Sequence, residues 1–299
     1  MSETADYVIV GAGTAGCVLA NRLSADPNIR VLLLEAGGSD RHPYVQAPVG
    51  FLKTFQDPRF NWCFSTAPGA GVDGRAIFFP RGRVLGGSSS INGHLYVRGQ
   101  HRDFDTWAQL GNRGWAYEDV LPYFRRAEDR STGGDAYHGA GGPQHVSDIH
   151  ERHPICEAFI DGAESLGLPR NSDYNGMRQE GLAYYQRTIR SGKRHSAASG
   201  FLHPVRNRPN LEVVSHAHVE RVVFEGRRAV GVRYRRYGQS HTATAAQEVI
   251  LAAGAIGSPQ LLQVSGIGDP EHLRGIGVDI VHALPSVGQG LQDHYAVRV

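Results

Sequence analysis

A chain of 299 residues can bury a full apolar core and hold one large or two ordinary domains. With 40% hydrophobic residues, 20% charged residues and a net charge of +2, it has a globular balance and no electrostatic reason to bind nucleic acid or an anionic membrane. No apolar run approaches the ~18 residues of a transmembrane segment, and Cys17, Cys63 and Cys156 are too scattered for a disulfide framework or a metal pair.

The opening segment, MSETADYVIVGAG, is acidic and enters an apolar run almost at once. That leaves no room for a signal peptide, and with so few cysteines the expectation is a cytoplasmic protein. Tyr7–Val10 reads as a buried strand, and Gly11, Gly13 and Gly16 follow as G-x-G-x-x-G. Ala15, Val18, Leu19 and Leu23 then recur at helical spacing until Asp26-Pro27 stops the helix. A second strand, Val31–Leu34, ends at Glu35, nineteen residues past Gly16. In such a unit Gly11 makes the tight turn, Gly13 lets backbone approach a pyrophosphate, and Gly16 lets helix lie against strand. The helix N-terminus offers free N–H groups to phosphate. Glu35 can accept hydrogen bonds from ribose hydroxyls and would repel a 2′-phosphate, which disfavours NADP. The unit predicts dinucleotide binding without separating FAD from NAD.

Residues 80 to 99, PRGRVLGGSSSINGHLYVRG, hold five glycines and three consecutive serines, yet Val84, Leu85, Ile91, Leu95, Tyr96 and Val97 are residues that pack. The stretch therefore reads as ordered backbone rather than a linker. Consecutive N–H groups at Gly86, Gly87 and Ser88 can form an anion-binding nest, reinforced by the Ser88 and Ser89 hydroxyls. A tight packing turn is the plainer reading. Two phosphate loops some seventy residues apart suit a longer cofactor with a flavin end.

Residues 103 to 130 predict an amphipathic helical region broken at Gly111–Gly114, with Phe104, Trp107, Val120, Leu121 and Phe124 on its apolar side. DIHERHPICEAFIDGAESLGLP predicts a further helix, within a segment that carries no nucleotide motif. His195, beside Lys193 and Arg194, reads as a structural histidine. From Leu211 three strand-like runs follow: LEVVSHAHVERVVFEG, RAVGVRYRR and TATAAQEVILAAG. Ser258-Pro259 predicts a helix start, Gly266 its end, and Asp269-Pro270 a short helix ending near Gly275. The histidines at 145, 150, 153, 216 and 218 show no ligand spacing, so no metal is expected. Asp293 and His294 are adjacent, which on a strand sends them to opposite faces and implies no catalytic pair.

Along GRVLGGSSSINGHLYVRGQHRDFD and GAIGSPQLLQVSGIG the sequence resembles the glucose–methanol–choline (GMC) oxidoreductases, nearest to their choline dehydrogenase-like branch. The tail LPSVGQGLQDH is also similar, with Gly290 where the family usually has Asn. The resemblance implies an α/β fold: an FAD-binding, Rossmann-like three-layer domain of the glutathione reductase type with an interrupted substrate domain. The expected parts are an FAD-binding first part at 1–124, a partial substrate-side domain at 125–202, and an FAD-binding second part at 203–299. By the same resemblance Gly11, Gly13, Thr14, Ala15, Gly16, Glu35 and Ala36 surround the ADP half of FAD. Arg83, Val84, Gly87, Ser88, Asn92 and Gly93 lie along the pyrophosphate and flavin, Val219 presents backbone to the adenine, and Ala253, Gly254 and Ile256 close a third wall.

Some members attach FAD through a histidine at the position of Ile91. Isoleucine has no nucleophilic nitrogen, so non-covalent FAD is expected. The implied reaction is oxidation of an alcohol CH–OH group, choline or another primary alcohol, by hydride transfer to flavin with a histidine as base. The electron acceptor stays open. That histidine is expected in a C-terminal catalytic half absent from this sequence, which leads to the further expectation that the 299-residue chain alone turns over little alcohol. The alternatives are a redox-silent FAD-containing lyase and an inactive fragment.

Overall fold

The computed structural model describes residues 3–294. The chain divides into two compact units. The first takes in the chain up to His42, Leu52–Ile91 and the chain from Ala197; the second consists of Pro43–Phe51 and Asn92–Ser196. The longer helices are α1 (Thr14–Leu23), α2 (His101–Gln109), α3 (Tyr117–Ala127), α4 (Pro154–Ser165), α5 (Gly254–Val264) and α6 (Pro270–Gly275).

The first unit is built on a six-stranded sheet: β1 (Glu3–Val10), β2 (Val31–Leu34), β3 (Leu211–Val214), β4 (Ala217–Glu225), β5 (Arg228–Arg236) and β6 (Gln239–Leu251), in the order β4-β5-β6-β1-β2-β3. Strands β6, β1, β2 and β3 run parallel, and β4 and β5 extend the sheet as an antiparallel meander. All four residues of β2 are buried, which is why it reads as an unbroken apolar run rather than an alternating one. Val8, Val10, Leu32, Leu34, Val214, Val222, Val232, Tyr234 and Leu261 form one buried cluster. Each fully buried Val or Leu contributes about 1.5–3 kcal/mol. Helix α1 lies tight on this sheet because Gly16 has no side chain: a Cβ there would come 1.9 Å from the Gly11 carbonyl oxygen. The α/β, Rossmann-like fold expected from the sequence is the fold found.

Three expectations need correction. The run from Leu211 to Glu225 is two strands, β3 and β4, at opposite edges of the sheet. His216, at φ +57°, turns the chain between them, and His216 and Ala217 donate their N–H groups to the carbonyls of Gly37 and Glu35. Helix α5 begins at Gly254 rather than at Ser258-Pro259, since Ser258 folds back to accept the Ala253 N–H at 3.1 Å. Helix α4 begins only at Pro154, where His153 Nδ1 accepts the Ile155 N–H at 3.2 Å.

The second unit has short strand pairs, Glu128–Arg130 with Gln144–Val146 and Ile189–Arg190 with Lys193–Arg194. Buried charge joins them. Glu128 meets the Arg98 guanidinium at 2.8 Å and His138 Nδ1 at 3.0 Å, while His138 Nε2 reaches Asp173 at 2.9 Å. Both carboxylates hold the His138 imidazole in its charged form, Asp173 most, and raise its pKa to about 9. The unit's early backbone is tied to later segments: Tyr96 donates to Gln186 O at 2.9 Å and Thr188 to His94 O at 2.9 Å.

Candidate functional site

The C-terminal ends of β1 and β2 open into a cavity of about 830 Å³ within the first unit. One wall is the first glycine turn and the start of α1, with Gly11, Gly13, Thr14 and Ala15, continued by Glu35 and Ala36 after β2. A second wall carries Gly82, Gly87 and Ser88, and a third Val219 on β4. Ala253, Gly254 and Ile256 at the start of α5 close the fourth side.

The two glycine loops are in direct contact. Gly86 donates its N–H to Ala12 O at 2.7 Å, and a Cβ on Gly87, which stands at φ +55°, would lie 2.7 Å from Gly13 Cα. Gly13 differs from Gly87: a Cβ there meets nothing closer than Ala252 O at 3.9 Å, so the protein's own packing does not demand glycine at this point. Helix α1 has no side-chain cap and no acid in its first turn, so its free N–H groups and partial positive charge are left for an anion. Ser88 lines the cavity and accepts the Gly82 N–H at 3.0 Å. The Ser89 hydroxyl, expected to reinforce the nest, instead donates to Gly86 O at 2.6 Å and accepts the Ala197 N–H at 3.0 Å, so it serves the turn.

Glu35 is buried, with one carboxylate oxygen accepting the Ala12 N–H and the other the Gly37 N–H, each at 2.8 Å. Burial pushes its pKa up to about 7, against those two donors and the positive charge of Arg83, which pull it down. Each oxygen keeps a further lone pair, and the group lines the cavity where a diol could donate to it.

Gly16, Arg83 and Val84 lie outside the lining. Gly16 is buried in α1, packed against the Gly11 backbone, Val84 is fully buried and bridges to Gly38, and the Arg83 guanidinium lies 5.0 Å from the Trp62 ring. Asn92 and Gly93 belong to the second unit, where Asn92 Oδ1 accepts from Arg194 and from the His94 N–H. Sequence reading missed Trp62, Phe64, Arg81 and His218, which also line the cavity. Trp62 and Phe64 stack with centroids 5.8 Å apart, and their alternation in NWCFST was the available signal. His218, 5.6 Å from Trp62, has its pKa lowered by burial and then by Arg83.

In the second unit, His195 Nδ1 accepts the His145 N–H at 3.3 Å, a structural use. Among the described residues no group of three or more His, Cys, Asp or Glu side chains comes together as metal ligands, and no helix is long and apolar enough to cross a membrane.

Residues 5–296 match the family model described as GMC oxidoreductase. Mitochondrial choline dehydrogenase of Homo sapiens is 48% identical over 308 residues, covering 100% of this chain and 52% of that protein. Alcohol dehydrogenase [acceptor] of Pseudomonas putida is 44% identical, over 98% of this chain and 54% of that protein. The crystal structure of pyridoxine 4-oxidase from Mesorbium loti superposes with a TM-score of 0.90 at 38% identity, over 94% of this chain and 56% of that one. The chain thus spans about half the length of the curated relatives it matches.

Proposed function

The chain belongs to the GMC oxidoreductase family, and from that premise we propose that it holds FAD without a covalent bond and serves the oxidation of an alcohol, choline or another primary alcohol, to the aldehyde. The observation that carries this reading is the meeting of two separate glycine loops on one cavity of about 830 Å³. A mononucleotide would use only one of them.

The residues fit the group. Uncapped N–H groups at the start of α1, beside a Gly13 whose Cβ position is open, suit a pyrophosphate. Glu35 offers acceptors to ribose hydroxyls, and backbone at Val219 suits the edge of adenine. Gly87 and Ser88 would steady the far side of the pyrophosphate. Ile91 is buried and has no nucleophile, which supports non-covalent binding. Bound FAD would supply the hydride acceptor that no side chain provides. The chain's own part is to orient that acceptor and exclude water from its phosphates. The base for the alcohol proton is assigned outside this chain, since no histidine of the cavity is matched to that role. The three cysteines are free, which supports a reducing, cytoplasmic location.

Titrating the purified chain with FAD, followed by flavin fluorescence, tests the reading. A 1:1 complex that releases unmodified FAD on acid precipitation is expected, and the absence of binding would overturn it. Anaerobic bleaching of the loaded chain by choline or a simple primary alcohol would overturn the placing of the base.

A further inference from the structure

Two Asn-Gly steps occur in the chain, Asn92-Gly93 and Asn175-Gly176, both in the second unit. In such a step the asparagine side chain meets the next backbone nitrogen with least hindrance, because glycine carries no Cβ beside it. The fold treats the two in opposite ways. Asn175 is 4% exposed and held at both ends: its Nδ2 donates to Tyr96 O at 3.0 Å and to Gln186 Oε1 at 2.7 Å, and its Oδ1 accepts the Arg98 N–H at 2.8 Å. The Gly176 N–H donates to Asp173 O at 3.3 Å. A Cβ on Gly176 would lie 2.4 Å from Asp173 Oδ2, so packing alone accounts for that glycine.

Asn92 is exposed to water. Its Oδ1 accepts from Arg194 Nη1 at 2.8 Å and from the His94 N–H at 3.0 Å, while among the described residues nothing bonds its Nδ2 or the Gly93 N–H. The bond to His94, two residues on, folds the carboxamide back over the Gly93 peptide. Both donors draw charge from Cγ and are placed to hold the negative oxygen that appears when a nucleophile adds there. Arg194 is 3% exposed, and although burial pushes its pKa down to about 10, it stays protonated at neutral pH. Packing gives no reason for glycine at 93: its φ lies outside the left-handed range, and a Cβ there would meet nothing within 4 Å.

We propose that Asn92-Gly93 is a self-modifying site, at which Asn92 loses its amide nitrogen through a succinimide while Asn175 keeps its own. The Gly93 nitrogen gives its proton to water and bonds to Asn92 Cγ; the Cγ–Nδ2 bond breaks and ammonia leaves. Water then opens the ring at either carbonyl, giving aspartate by one route and isoaspartate by the other, with no change of oxidation state. The aspartate route sets a carboxylate against the buried Arg194 guanidinium, which in the parent chain meets neutral oxygens of Asn92 and Val45. The isoaspartate route adds one carbon to the main chain just before His94, whose carbonyl accepts the Thr188 N–H.

The test ages the purified 299-residue chain in mildly alkaline buffer, folded and in urea. Both Asn-Gly peptides are followed by mass spectrometry, and isoaspartate is scored with an isoaspartyl methyltransferase. In the folded chain Asn92 should convert at least about a hundredfold faster than Asn175, whose conversion must first break its buried hydrogen bonds. In urea the two should convert at similar rates. Gly93→Ala should match the parent in circular dichroism and melting, yet convert Asn92 at least about tenfold more slowly, since a methyl beside the nitrogen crowds ring closure. Equal rates for the two asparagines in the folded chain would overturn the proposal. So would aspartate at 92 without isoaspartate, or a folded Gly93→Ala chain that converts as fast as the parent. No flavin enters these readouts, so their outcome is separate from that of the FAD titration.

Discussion

The two units are held together by different physics. The first has an apolar cluster under a six-stranded sheet, and its polar groups gather at one cavity. The second has strand pairs of two and three residues and a buried chain of charge from Arg98 through Glu128 and His138 to Asp173. Close apolar packing places backbone reliably for a ligand. A buried charge network tolerates little, since removing one member strands the others. The first unit therefore advertises a binding site and the second advertises specificity of its own fold.

The contrast can be broken most sharply at Gly16. Gly16→Ala puts a methyl against backbone that cannot retreat, so the first unit should lose more than about 4 kcal/mol and the chain should fail to fold natively, read by circular dichroism. In the second unit, Glu128→Gln leaves Arg98 and His138 without their shared carboxylate and should cost about 3–5 kcal/mol. Hydrogen exchange should then quicken around residues 94–98 and 174–188 while the amides of β1, β2 and β6 stay protected.

Glu35→Gln acts on binding and on folding, since its amide nitrogen would face one of the two buried N–H donors, Ala12 or Gly37. Loss of a charged acceptor for the ribose should weaken FAD by about 1.5–3 kcal/mol, roughly tenfold to a hundredfold, in a fluorescence titration. In the parent chain FAD affinity should rise as pH passes about 7, because the ionised carboxylate is the better acceptor.

The gentlest distinction is in the pH dependence of stability, and it separates the units by window. Glu35 is raised from 4.5 to about 7 by burial, so the stability it contributes is full below pH 4.5 and is lost as pH rises through 7. His138 is raised from 6.5 to about 9 by Asp173 and Glu128, so its contribution is full below pH 6.5 and disappears as pH rises through 9. Urea unfolding across this range should show both losses, and His138→Gln should remove only the higher one.

Much of the first unit was legible because its signals are local. A strand, a glycine turn, a helix and a terminal acid lie within about thirty residues, and each has one dominant physical reason. The second glycine loop was legible as a loop, but its contact with Ala12 and Gly13 is a fact of tertiary packing. The break between β3 and β4 stayed hidden because a single left-handed residue, His216, interrupts an otherwise continuous strand pattern. Ser258-Pro259 misled because the pair commonly starts helices, whereas here the serine caps from inside one. The helices α2, α3 and α4 of the second unit were legible from their apolar spacing, but its buried charge network was not, since Arg98, Glu128, His138 and Asp173 are distant in sequence and meet only in the folded chain. Trp62 and His218 were missed for the same reason.

Gly13→Ala offers the most direct measurement of the central claim. The added methyl meets only Ala252 O at 3.9 Å, so melting temperature should match the parent chain, yet it enters the space assigned to the pyrophosphate. FAD titration of this variant should show affinity at least about tenfold weaker than the parent. Unchanged FAD affinity in the folded variant would contradict the account.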